Sequence, residues 1–325
     1  MKKLLLFLTL SLVLLPGCSP WNSSGQTIDN EGNIISGQDP IPVDIVSISA
    51  AGGSGSSGTY LTDSASVDLT VEDNRLSTMA KDYFVGIMEG DIAGHFPVSR
   101  FGYNGAVGTA TEDIWQGSAV YVFPKVAQRM SIVSTSAQDS AASTGVRTVT
   151  VFYLDNNYVE QTEVVTMNGT AAVLTTATNM LRINEFMAAT VGSNNTAVGQ
   201  ITIAALGGSP IYRYIAAGFN RSRGSHYTVP AGKTLYINDW TICVGGLNAN
   251  NFARLTFRST YNDVSGVQLT PEFFIPQAEI LTPNGVVERY FSFPMKFPAT
   301  TDLKVSAMTD AGSAFVETTW RGWIE

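Results

Sequence analysis

Charge is the first thing this chain lacks. Of its 325 residues only 14% are Asp, Glu, Lys or Arg, against about a quarter in an average soluble domain. Its surface therefore has to be built largely from Thr, Ser, Asn and Gly. It carries no basic run, and its formal charge is −8, which argues against a nucleic-acid partner. Two cysteines, Cys18 and Cys243, cannot make a disulfide framework. Two histidines, His95 and His226, leave little material for metal or acid–base chemistry. No G-x-S-x-G stands in the sequence, so a hydrolase elbow has no support. These shortages point away from an enzyme and away from a bound cofactor. Disorder is excluded in turn, because 44% hydrophobic and 10% aromatic residues are enough for a core.

The N-terminus has the shape of a secretory leader. Met1-Lys2-Lys3 is positive, residues 4–15 are mostly apolar, and small residues lead to Cys18. The apolar run is short for a membrane span. Leu15-Pro16-Gly17-Cys18 resembles the lipobox of bacterial lipoproteins, with Pro16 an unusual choice in it. Lipidation of Cys18 would tie the chain to a membrane, and Ser19 after it matches outer-membrane sorting in Gram-negative bacteria. The alternative is an apolar tail that packs inside an assembly. Loss of residues 1–17 takes the balance to −10, from 17 basic and 27 acidic residues.

Residues 19–66 read as a flexible spacer rich in Gly, Ser, Asp, Asn and Pro, with one candidate strand at Val43–Ser49. Gly53, Gly55 and Gly58 spell G-x-G-x-x-G, but neither the strand such a fingerprint needs directly before it nor a helix opening at Gly58 is clear, so the tract reads as linker. Leu76, Met79, Ala80, Tyr83, Phe84, Ile87 and Met88 recur at helical spacing, with Asp73 or Asn74 as cap and Gly90 as stop.

Beyond residue 95 short β-branched, often alternating segments follow one another. They include Ala119–Phe123, Met130–Ser134, Arg147–Tyr153, Glu160–Thr166, Ala172–Thr175, Met180–Phe186, Ala188–Val191 and Gln200–Ala204. A second series runs through Thr234–Ile242, Ala253–Ser259, Glu272–Phe274, Val286–Phe293, Leu303–Ala307 and Phe315–Ile324. The turn signals between them, Asn168-Gly169 above all, fit antiparallel sandwiches better than βαβ units. The expected fold is all-β: two stacked antiparallel β-sandwiches, jelly-roll-like, with one short helix before the first. The expected division is a leader at 1–18, a spacer at 19–66, the helix and first sandwich at 67–206, and the second sandwich at 207–325.

Chemistry-bearing residues are few. His95 and His226 lie in no metal-binding spacing and read as loop or interface histidines. Cys243, inside the apolar run Trp240–Val244, reads as a buried inert thiol. Glu112-Asp113, Glu160 with Glu163, and Glu279 with Glu288 are the carboxylate pairs that a glycan-cleaving site could use at roughly 5–10 Å separation. Glu160 and Glu163 would face opposite ways on a strand. Asp155-Asn156-Asn157 offers oxygens to calcium but suits a turn better. The one basic cluster is Arg213, Arg221 and Arg223, interleaved with Tyr212, Tyr214 and Phe219. Arginine and tyrosine are enriched at interfaces, so the cluster is the candidate contact for a carboxylate patch on a neighbouring subunit. A phosphate or anionic glycan is the alternative ligand.

Several stretches resemble tailed-bacteriophage virion structural proteins, the β-sandwich proteins of head decoration, neck or tail. They are Gly94-His95, Phe101 to Thr109 (FGYNGAVGT), Glu112 to Trp115 (EDIW), Val133 to Ala137 (VSTSA) and Thr144 to Val149 (TGVRTV). Leu154 to Tyr158 (LDNNY), Glu163 to Thr170 (EVVTMNGT), Leu181 to Ile183 (LRI) and Tyr227 to Tyr236 (YTVPAGKTLY) follow in the same order. The resemblance runs from about residue 81 to the C-terminus. It implies a non-enzymatic part of a phage particle that packs with copies of itself, for example as a trimer, and with other virion proteins. The leader departs from that pattern, and the alternative it carries is a lipid-anchored surface protein with a glycan- or protein-binding sandwich.

Overall fold

The computed structural model describes residues 83–117, 119–261 and 273–325, together with the backbone of four short strands before them. The leader with Cys18, most of the spacer with its Gly-rich tract, and Met79-Ala80 lie outside the described residues. The chain separates into two compact units, residues 1–86 and 87–325.

In the first unit β1 (Ser47–Ser49), β2 (Tyr60–Thr62), β3 (Leu69–Glu72) and β4 (Arg75–Thr78) form an antiparallel meander in that order. β3 and β4 pair from Glu72↔Arg75 to Leu69↔Thr78, so only Asp73 and Asn74 separate them. The predicted helix is correspondingly shorter: α1 covers Tyr83–Glu89, and Gly90, at φ +80°, ends it. The apolar spacing at Leu76 belongs to a strand, where cross-strand pairing overrides helical periodicity.

The second unit is all-β and entirely antiparallel. Its strands are β5 (Phe96–Val107), β6 (Glu112–Asp113), β7 (Met130–Ser134), β8 (Val146–Asp155), β9 (Glu160–Thr166), β10 (Val173–Leu174) and β11 (Met180–Val191). After them come β12 (Ile201–Ala205), β13 (Ile211–Ile215), β14 (Tyr227–Thr228), β15 (Leu235–Gly245) and β16 (Ala253–Thr260). β17 (Phe274–Thr282), β18 (Gly285–Phe297), β19 (Asp302–Thr309) and β20 (Ala314–Ile324) complete it. Among the described residues no helix is long and apolar enough to cross a membrane.

These strands make two sandwiches. In one, the sheet β10-β7-β12-β13 faces the sheet β11-β8-β9 across Ile132, Ile201, Ile203, Val149, Val151, Met180 and Phe186, all buried. The period-two alternation of β8 puts Val149, Val151 and Tyr153 inward and Thr148, Thr150 and Phe152 outward. In the other, β14-β19-β16-β17, with β6 beside β19, faces β18-β15-β20-β5. Trp240, Trp320, Phe257, Ile237, Leu255 and Val305 fill its core.

The sheets do not divide the chain at residue 207. β5 pairs with β20, from Phe96↔Ile324 to Val107↔Ala314, and β6 pairs with β19. The sandwich of β7–β13 is thus an insertion between β6 and β14 of the other. Residues 119–123, read as a strand, pair with nothing regular. Tyr121 and Phe123 are buried while Val120 and Val122 are exposed, because one side of the segment lies against the joint between sandwiches.

Candidate functional site

The joint begins on the outer face of β11. A strand side facing away from its own core is normally polar and wet, but Arg182, Asn184 and Glu185 are all buried there. Arg182 donates to both carboxylate oxygens of Asp302, 2.9 and 2.8 Å away, and to the carbonyl of Pro124. Asn184 exchanges two hydrogen bonds with the backbone of Thr228, extending the sheet pattern by one side chain. Lys304 reaches Asp113 at 2.8 Å, and the same carboxylate accepts from Ser306 Oγ and Tyr121 N, both at 2.6 Å.

Arg213 lies inside this joint, 1% exposed. Its guanidinium donates only to carbonyls, those of Ile183, Gly224, Asn184 and His226, at 2.8–3.2 Å. Burial lowers it to about 10, still protonated at neutral pH. Tyr212 is buried too and Tyr214 packs partly buried against Trp115. Three of the six residues read as a subunit contact are thus interior or nearly so: β13 is a paired strand of the inserted sandwich, and alternation sends its side chains inward or into the joint.

The other three do reach the surface. Arg221 donates to Glu185 Oε2 at 2.6 Å, so the carboxylate expected from a neighbour is supplied by this chain. Burial alone would raise the Glu185 carboxyl. The hydrogen bond from Arg221 and the charges of Arg100 and Arg213 outweigh it and hold the group below its ordinary range. Arg223 lies over the rings of Phe219 and Tyr103, 4.0 and 4.3 Å from their centroids. Burial lowers it, and Tyr103 and Glu317 act in the opposite sense. A cleft of about 570 Å³ opens among these groups, with Arg100, Phe101, Glu185, Phe219, Asn220, Arg221, Ser222, Arg223 and Glu317 on its walls. Nothing local marks Arg100, Phe101 and Glu317 as members of one site, because only the β5–β20 ladder brings residues 100 and 317 to one place.

The remaining candidates are scattered. His95 contacts Glu325, with Nε2 2.9 Å from Oε2, whereas His226 is 2% exposed and stacks on Tyr121 at 3.6 Å between centroids. Cys243 is free and half-buried, not buried: it points to the opposite side of β15 from Ile242 and Val244. Glu112 binds Asn104 Nδ2 and Gly108 N, and Glu163 accepts from the backbone of Thr176 and Ala177. Glu279 lies 3.7 Å from Arg254. Asp155 Oδ1 accepts from Asn157 N and Val159 N, closing a turn in which Tyr158 takes φ 60°. Among the described residues no three His, Cys, Asp or Glu side chains gather to hold a metal ion.

A second surface feature is apolar. β17 and β18 each lie at an edge of their sheet. All of β18 except Phe297 is exposed or half-exposed, with Val286 at 64%, Tyr290 at 68% and Phe293 at 90%. Its pairing to β15 jumps from Asp239↔Tyr290 to Ile237↔Met295, so residues 291–294 bulge out opposite a single residue. Fold and surface together define an all-β double sandwich with a basic, aromatic cleft and an uncovered apolar edge. No family model and no curated protein matches the chain.

Proposed function

We propose that the chain is a non-enzymatic structural component of a tailed-phage particle that acts by packing against copies of itself and against other virion proteins. The observation that carries this reading is β18. A thirteen-residue edge strand with Val286, Tyr290 and Phe293 in water is a liability for a monomer. Aromatic residues on such an edge are the material of a subunit contact, and a closed ring such as a trimer would cover every copy's edge at once. The ordered motifs from residue 94 to Tyr236 add the particle. Mass spectrometry of gradient-purified particles tests it: the chain is expected at high copy, and its absence from particles sinks the reading. Phe293→Ser with Tyr290→Ser is expected to lower the mass measured by light scattering toward one chain.

A second reading, a lipid-anchored surface protein of the bacterial outer membrane with a glycan- or protein-binding sandwich, is favoured by Leu15-Pro16-Gly17-Cys18. Intact-mass analysis of the mature N-terminus separates the two. A diacylglyceryl Cys18 in the membrane fraction supports the anchor, and an unmodified Cys18 removes it.

A further inference from the structure

We infer that the cleft beside β5 and β20 is a binding site for an acidic saccharide, a ligand with single carboxylates on hydroxyl-rich rings. Its charge balance is the first argument. Arg100, Arg221 and Arg223 line it, and Arg213 lies directly beneath, bonded to the carbonyl of the lining residue Gly224. Against these four cations the walls carry two carboxylates, Glu185 and Glu317, leaving an excess of two positive charges in a chain of net −8.

None of that excess is neutralised within the joint. Arg213 donates to carbonyls, and among the described residues Arg223 makes no salt bridge. The Nε atoms of Arg100 and Arg223 are shielded from solvent without a hydrogen-bond partner. Cations that have lost part of their hydration, with carboxylates near but no salt bridge of their own, are predisposed to take an anion. Stacking on Phe219 and Tyr103 fixes the Arg223 plane in advance, so little side-chain freedom remains to be lost on binding.

The rest of the lining selects the kind of anion. Phe101 and Phe219, both partly exposed, offer flat apolar surface, which a bare oxyanion cannot use and the C–H face of a sugar ring can. Asn220 spends Nδ2 on the carbonyl of Asn195 and brings an amide oxygen to accept from hydroxyls. Glu317 accepts from hydroxyls as well and repels a doubly charged phosphate. A cleft of about 570 Å³ falls in the size range of small-molecule sites. One carboxylate among several hydroxyl donors is the pattern that this mixture of guanidinium, phenyl and carboxylate groups complements.

Titration calorimetry on the full chain at low salt tests this with three probes: trigalacturonate, its fully methyl-esterified form, and inorganic phosphate. Trigalacturonate is expected to bind saturably, and the ester and phosphate at least tenfold more weakly. Arg223→Gln and Arg221→Gln, each checked for an unchanged melting curve, are expected to weaken trigalacturonate tenfold or more. Phe219→Ser, which keeps every charge, is expected to weaken it too. Equal binding of phosphate or of the ester overturns the saccharide assignment, and so does unchanged affinity in both arginine variants. Absence of saturable binding to the wild-type chain, with assembly mass lowered by Arg223→Gln, also overturns it and gives the cleft to a neighbouring subunit's carboxylate.

Discussion

Protonating His226 would place a further positive charge in a dry joint that already holds Arg213 and Lys304. Burial, then the charges of Arg213, Lys304 and Arg100, hold the imidazole well below its ordinary 6.5, while a hydrogen bond to the backbone of Tyr212 acts in the opposite sense. The unfolded chain therefore binds a proton that the native chain refuses, once pH drops below about 6.5. Above that value both states are neutral and the contribution is complete; below it, stability falls by up to about 1.4 kcal/mol per pH unit. Urea midpoints at pH 7.5 and 5.5 check this, and His226→Phe, which cannot ionise, is expected to flatten the difference whatever its absolute stability. Asp139 is the second residue on which much depends. Fully buried, it accepts from Val146 N, Val198 N, Gly199 N and Ser134 Oγ, between 2.6 and 3.0 Å. An amide keeps one of those two acceptor atoms, so Asp139→Asn is expected to cost about 2–4 kcal/mol in a urea titration. Nothing in the sequence around Gln138-Asp139-Ser140 distinguishes this carboxylate from a solvated loop residue. Its four donors come from residues 134, 146, 198 and 199, which only the folded loops bring together.

The elements were more legible than the residues. Met130–Ser134 and Glu160–Thr166 have the bounds that the sequence indicated: the short β-branched run of the first is buried on both faces except at Val133, and the second covers only the face of Val165. Where burial comes from something other than a ladder, alternation misleads: Ala119–Phe123 alternates against the joint without pairing. β13 was missed because Tyr212, Arg213 and Tyr214 read as an exposed basic cluster, and nothing local reveals that carbonyls wait around the guanidinium. Pairing partners are also invisible locally, as the β5–β20 ladder shows, and one glycine marks how tightly the strands fit. Gly322 sits opposite Ile237, at the bulge in β15, and a Cβ there would come 1.8 Å from the carbonyl oxygen of Tyr236 and 2.9 Å from Ile237 Cα. Both neighbours are backbone and cannot swing aside. Gly322→Ala is expected to lower stability by about 3 kcal/mol, whereas Gly108→Ala, whose Cβ would meet nothing nearer than 3.6 Å, is expected to change it by less than about 1 kcal/mol. Chemical denaturation of the two variants decides between a strained crossing and a tolerant one.

At the scale of the molecule, two sandwiches with separate main cores are joined by polar groups and by the small aromatic cluster of Trp115, Tyr121 and Phe123. No residue belongs to both cores, and the direct links include Arg182–Asp302, Asn184–Thr228, the hydrogen bond from Ala231 N to the Tyr158 carbonyl, and the bonds from Arg213 to the carbonyls of Gly224 and His226 in the segment leading into β14. Apolar contact holds loosely in direction, since a hydrophobic face slides at little cost, whereas a bidentate ion pair buried on both sides fixes one geometry. Because β7–β13 is inserted between β6 and β14, each sandwich could unfold while the other keeps its strands, unless the joint couples them. Arg182→Met leaves the Asp302 carboxylate buried with the Thr228 hydroxyl as its remaining donor, at a cost of about 3–5 kcal/mol. The expected wild-type scan in a calorimeter is a single transition, and the expected Arg182→Met scan is two, the inserted sandwich melting apart from its host. Replacing both partners, Arg182→Met with Asp302→Leu, removes the stranded charge and is expected to recover much of the lost stability but not the single transition, because packing alone does not specify the angle between the sandwiches. A variant that melts earlier yet still in one step would show that the apolar bridge of Trp115, Tyr121 and Phe123, rather than the ion pair, carries the coupling.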